Sequence, residues 1–146
     1  NVLPVAIIAY LTLPIALPPT WIHALAFCFS FALGYIILFG TNFLVGILSF
    51  RTLNLWGIQH TYHGLMMMFS GMWIPLWFYP DWLRAVTDIL PFRAVFFTPL
   101  AIYVGHTTGS ALWLSIGQQT VWAIVLMGLC HITWVRTDRH LVVQGG

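Results

Sequence analysis

The run from Ile22 to Phe50 constrains this chain most, because it contains no Asp, Glu, Lys or Arg. A helix crossing roughly 30 Å of hydrocarbon needs about 20 apolar residues at about 1.5 Å of rise each, and this run is longer than that. The rest of the chain is similarly poor in charge: 5% of its 146 residues are charged and 60% are hydrophobic, with a mean hydropathy of +0.92. Soluble domains carry roughly 25% charged residues. The fold class expected is therefore all-α, a polytopic integral membrane helix bundle with no soluble domain large enough to work away from a bilayer. Eight Trp, five Tyr and eleven Phe suit a protein that has two membrane interfaces to anchor.

Other classes are excluded on the same ground. A net charge of +2 from five dispersed Arg and no Lys does not make a nucleic-acid-binding surface. Cys28 and Cys130 both lie in apolar runs and form no CxxC pair, so they are expected to be small hydrophobes rather than a disulfide. The chain opens Asn1-Val2-Leu3-Pro4 without a basic segment and cleavage site, which predicts no signal peptide and an internal piece of a longer polypeptide.

Hydropathy and proline punctuation divide residues 1–146, taken as a single transmembrane domain, into four spans. The first covers about 2–17 and ends at Pro18-Pro19-Thr20, because proline cannot continue the hydrogen-bond ladder. The second covers about 22–50, carries Ser30, Gly34, Gly40 and Gly46 as small residues for close helix approach, and closes at Arg51. The third, about 55–77, begins with polar Gln59, His60, Thr61 and His63 and ends near Pro75 and Pro80. The last covers about 110–135, followed by Arg136, Asp138, Arg139 and His140.

Between the last two spans, residues 81–104 behave differently. DWLRAVTDILPF places Trp82, Leu83, Val86, Ile89 and Leu90 near helical spacing with charges opposite, the pattern of an interfacial amphipathic helix. Arg93 to Val104 is apolar but only about a dozen residues long and contains Pro99; such segments tend to be re-entrant rather than spanning. A helical hairpin that dips in and returns is expected. Arg51 and the Arg136/Arg139 tail then fall on one side and Arg84 and Arg93 on the other, a weak positive-inside bias toward a cytoplasmic C-terminus.

Polar groups inside a membrane are functional candidates by default. His60 and His63 lie three apart on one helical face, and with His131 in the last span they define an alternative function, a haem- or metal-binding membrane redox protein. Against it, His60 and His63 sit near the membrane end and no carboxylate is near in sequence to orient them, so no metal site is expected. His106 and Ser110 are four apart but lack a third orienting group; GHTTGS is better read as a loop ending in the N-cap of the last span. Met66, Met67 and Met68 must point in three directions on a helix. Of Gln118 and Gln119, one is expected to hydrogen-bond across helices. No GxxxxGK[ST] phosphate loop is present, so no nucleotide hydrolysis is expected through that motif and no catalytic residue is assigned.

Ser70-Gly71, Pro75-Leu76, Tyr79-Pro80-Asp81-Trp82-Leu83, Leu90-Pro91-Phe92 and Pro99 form one composite pattern. It resembles the end of the fifth span and the following return in ABC-2 family permeases, the transmembrane subunits of ABC exporters. LSFRTLNLW is similar to that family's cytoplasmic link, and the tail HLVVQGG resembles the ending of one of its branches.

The resemblance implies the C-terminal portion of such a permease, spans three to six, with 81–104 as the external re-entrant element. It implies a permease subunit of an ATP-driven exporter or flippase in a prokaryotic cell (plasma or inner) membrane. The path would be shared with a second permease of the same or a related chain, and ATP and Mg would be bound by separate ABC ATPase subunits, with no cofactor on this chain. It further implies that Asn54, Gln59, His60, His63 and Met67 border the substrate path, and that Pro80, Trp82, Leu83, Pro91 and Phe92 form an external gate. A structural membrane scaffold is the remaining reading.

Overall fold

The computed structural model describes residues 17–52 and 55–138. The first expected span apart from Leu17, the path candidate Asn54 and the tail 139–146 lie outside the described residues. Five α-helices are found in these: α1 (Trp21–Thr52), α2 (Leu55–Phe69), α3 (Asp81–Ile89), α4 (Phe97–Tyr103) and α5 (Gly109–Asp138). Two 3-10 turns, Leu76–Phe78 and Pro91–Ala94, complete the order.

The start of α1 follows directly from sequence. Proline ends the preceding chain, and Thr20 then receives the backbone N–H of Ala24 at 3.2 Å while its hydroxyl sits 2.8 Å from His23 Nδ1. Nothing charged interrupts the helix before Arg51.

Helices α1 and α5 run parallel. Ser30 meets Gln119, Gly40 meets Cys130 and Phe43 meets Trp134, an almost constant offset in sequence. Their seam is built from Ala26, Ser30, Leu33 and Ile37 on α1 and from Leu112, Ile116, Gln119, Ala123, Leu126 and Cys130 on α5, all buried. Alternating steps of three and four residues keep one stripe facing the partner. Hydrophobicity alone does not mark this stripe, because both helices are apolar all round.

The small residues of α1 lie where backbones meet. A Cβ on Gly40 would stand 3.1 Å from Leu126 Cβ, and one on Gly34 only 2.9 Å from the Val95 carbonyl oxygen. Cys130 is buried and donates to the Gly40 carbonyl at 3.4 Å, whereas Cys28 is exposed; both are free thiols.

Helix α2 packs on α1 through Tyr62, whose hydroxyl lies 2.7 Å from that of Thr41. It stops at Phe69, short of the Trp77 to which the apolar pattern extends. Gly71 is the reason: it adopts φ +78°, and an added Cβ would sit 3.2 Å from both Leu76 and Phe97. That left-handed position closes the helix, and Pro75 prevents an immediate restart. The helix itself is 15 residues, about 22 Å long.

Residues 81–104 form a broken connector between α2 and α5. Asp81 occupies the first turn of α3, where a negative charge complements the helix dipole. Leu90 precedes proline and is extended, which ends α3. Helix α4 buries Thr98, Pro99, Ala101 and Ile102, and its Tyr103 ring meets Phe27 of α1 edge-on at 5.0 Å.

Helices α1 over Trp21–Ser49 and α5 over Gly109–Arg136 are long and apolar enough to cross a membrane. Only 28% of the most apolar window of each is buried, so neither is the core helix of a water-soluble fold. Phe29, Phe31, Tyr35 and Phe39 on α1 and Trp113, Leu114, Val121 and Ile124 on α5 are exposed. Such faces need lipid or protein against them.

Candidate functional site

The connector is held to the bundle by two adjacent glutamines of α5. Gln119, 1% exposed, accepts from the Ser30 hydroxyl at 2.8 Å through its amide oxygen. Its amide nitrogen donates to the Ala94 carbonyl at 2.7 Å and to the Ser30 carbonyl at 3.2 Å. Gln118 donates to the Asp88 carbonyl. One helix thus satisfies backbone carbonyls on both sides of the break between α3 and α4, which regular helical bonding leaves open. The sequence led us to expect one cross-helix glutamine; both cross.

Gly34 completes the clamp from the other side. Its missing side chain lets α1 lie against the carbonyls of Ala94 and Val95. Phe92 of the same turn packs between Tyr62 and Phe69 of α2, with ring centroids 6.3 Å from each. All three long elements therefore meet at residues 92–95.

Charge is concentrated beside this junction. Four of the eight charged residues of the chain, Asp81, Arg84, Asp88 and Arg93, lie in the connector. Arg93 pairs with Asp88 and its guanidinium lies 5.1 Å from the centroid of the Phe97 ring. Burial, and secondarily the like charge of Arg84, lowers the Arg93 pKa from its ordinary value. Arg84 donates to the Trp77 carbonyl at 2.8 Å. From sequence, these arginines served to orient the chain and, for Arg84, to mark the polar face of an amphipathic helix; the signal passed over was the clustering of scarce charges within one short segment.

The expected gate residues separate into two groups. Pro80 and Trp82 are exposed and Leu83 is half-buried, while Pro91 is buried and Phe92 half-buried. The first group lies at the start of the amphipathic helix, with Pro80 as its N-cap, and the second at the junction.

The described path candidates lie on α2. Gln59, His60 and His63 are exposed and Met67 is half-buried. The Nδ1 atoms of His60 and His63 donate to the carbonyls of Trp56 and Gln59, at 3.2 and 3.1 Å, and the His60 ring stacks on Trp56 at 4.3 Å. Met66 is buried, Met67 half-buried and Met68 exposed, the three directions expected of adjacent helical residues. His131 is also exposed, and among the described residues no group of three or more His, Cys, Asp or Glu is placed to hold a metal ion. Ser110 lies in the first turn of α5 rather than before it, and His106 stands edge-on to Trp77 at 5.7 Å.

A helical membrane bundle with a broken, clamped connector before its last helix agrees with the sequence pattern at Ser70–Pro99. The decisive comparison is with a family described as ABC-2 family transporter protein, whose profile matches residues 2–145. The chain belongs to this ABC-2 family. It is accordingly a membrane protein and a permease component of an ABC transporter. No curated protein and no solved structure matches it.

The motif that carries the resemblance has local structural work to do in this ABC-2 chain. Ser70-Gly71 ends α2, Pro80 starts α3, and Leu90-Pro91-Phe92 makes the turn between α3 and α4. Tyr79 is buried and its hydroxyl donates to the Met68 carbonyl at 2.6 Å, tying the connector back to the end of α2.

Proposed function

We propose that this ABC-2 chain forms half of the membrane path of an ATP-driven exporter or flippase, with a second permease, identical or related, forming the other half. The family match over nearly the whole chain carries this reading. ABC ATPase subunits on separate chains bind ATP and Mg and drive the cycle. Nucleotide binding acts by favouring one bundle arrangement over another, since only differential affinity shifts such an equilibrium.

The arrangement of charges supports an orientation in the cell membrane. Because α1 and α5 are parallel, Arg51 and Arg136 lie at the same end of the bundle, and Arg84 and Arg93 lie in the connector at the other. We place the Arg51/Arg136 end in the cytoplasm and read the connector as the re-entrant external element. In this scheme spans of about 2–17, 22–50 and 110–135 cross the bilayer, and 55–77 crosses it as the 15-residue α2 continued by the turn and 3-10 residues up to 77. Asn54, Gln59, His60, His63 and Met67 border the path, and the connector gates its outer end through Pro80, Trp82, Leu83, Pro91 and Phe92.

Copurification from native membranes, followed by reconstitution, tests the proposal. The expected result is a complex containing a Walker-A ATPase whose ATP hydrolysis depends on this subunit. A solitary monomer that leaves ATP hydrolysis unchanged would overturn it and favour a scaffold.

A further inference from the structure

The two connector arginines open onto a shared cavity of about 270 Å³ that also borders α5. Its polar lining comprises Arg84, Asp88, Arg93, His106, Thr107 and Ser115. Trp77 and Phe97, with ring centroids 5.5 Å apart, supply an apolar wall. Two guanidinium groups face a single carboxylate, so one positive charge is in excess, and that carboxylate is already paired with Arg93. A guanidinium carries five N–H donors, and Arg84 gives one nitrogen to the Trp77 carbonyl. Arg84 is an exposed residue that lines the cavity.

We propose that this cavity binds a phosphate group, held between Arg84 and Arg93 with the Thr107 hydroxyl as a further donor. Arginine forks engage phosphate oxygens in bidentate fashion. Two cations approaching from different elements suit a tetrahedral group with several oxygen edges better than a planar carboxylate, which offers one. The mutual repulsion of the arginines, which contributes to the lowered Arg93 pKa, is relieved by an anion lying between them. A phospholipid headgroup and a soluble phosphate ester present the same chemistry. The site goes beyond the permease reading and does not depend on which side of the membrane the connector occupies.

The test uses the permease purified with its partner subunits in maltoside detergent micelles, which carry no phosphate. Glycerol 3-phosphate is titrated in, with binding read from broadening of its phosphorus resonance. In parallel, micelles doped with phosphatidylglycerol are assayed for lipid retained by the complex. Saturable binding of the ester alone assigns a soluble ligand, retention of the lipid alone assigns a headgroup, and binding of both supports the shared site. Binding of neither overturns it. Arg84→Gln should weaken binding roughly tenfold, the scale of one charge-assisted contact. Asp88→Asn should tighten it severalfold by freeing Arg93, while its backbone carbonyl still receives Gln118. A merely structural role for Asp88 predicts weakening by Asp88→Asn, and that result would overturn the proposal even if Arg84→Gln fails to fold.

Discussion

The two ends of the α1–α5 seam solve the same packing problem with different chemistry. At the connector end, Ser30 and Gln119 are buried and fully engaged, and Gly34 admits the backbone of residues 94–95. Toward the other end, Gly40, Leu126 and Cys130 meet by shape, with one weak thiol-to-carbonyl contact. The difference follows from what each end must hold. Two continuous helices bring no free carbonyls into their contact, whereas a broken connector does, and an unpaired carbonyl in an apolar medium costs several kcal/mol by the usual estimates. Along this seam the buried amide side chain is therefore found where the backbone is broken.

Gly34→Val should give the largest effect and is the sharpest way to break this comparison. Its Cβ would stand 2.9 Å from one backbone carbonyl oxygen and 3.1 Å from another, and neither belongs to a flexible side chain that can swing away. We expect loss of folded, monodisperse protein on size exclusion in detergent. Gly40→Val places its Cβ against the Leu126 side chain instead, and should leave folded protein with a lowered Tm. Equal tolerance at the two positions would show that the connector does not press on α1 as described.

Gln119→Leu comes next. It keeps the volume but strands the Ala94 carbonyl and the Ser30 hydroxyl, at a cost of about 1–3 kcal/mol for a buried unsatisfied group. Thermal unfolding in detergent should register this loss, and limited proteolysis should cut first within residues 90–96. Gln118→Leu, at an exposed position, should cost less and leave that cleavage pattern unchanged.

These residues also show what was legible in the sequence. The long apolar helices, the amphipathic α3 and the break at Pro91 follow from composition, period and proline chemistry, which act locally. The length of α2 did not, because Gly71 closes the helix through a left-handed turn whose packing against Leu76 and Phe97 is tertiary. The polar junction was half legible: Gln118 and Gln119 stood out in an apolar span, but their partners are backbone carbonyls, which carry no sequence signature. The Arg84–Arg93 cavity was visible only as a clustering of charge. The distance between its two arginines along the chain gives no indication that they share a space.

The smallest effect tests whether polar coupling is truly concentrated at the connector end. Thr41 and Tyr62 join α1 to α2 by a single hydroxyl–hydroxyl bond of 2.7 Å. The Thr41 hydroxyl also lies 3.0 Å from the carbonyls of both Ile37 and Leu38, so it keeps a partner when Tyr62 is changed. Side-chain hydrogen bonds between membrane helices average about 0.6 kcal/mol in double-mutant cycles, and the spare acceptors in α1 should hold this pair near or below that figure. A cycle of Thr41→Val and Tyr62→Phe should therefore show weak coupling in thermal unfolding. The corresponding cycle of Ser30→Ala and Gln119→Leu should show stronger coupling, because the Ser30 hydroxyl donates to the Gln119 amide oxygen where both side chains are buried. If the two coupling energies are equal, polar coupling between helices is not concentrated at the connector, and the glutamine is a packing residue rather than a clamp.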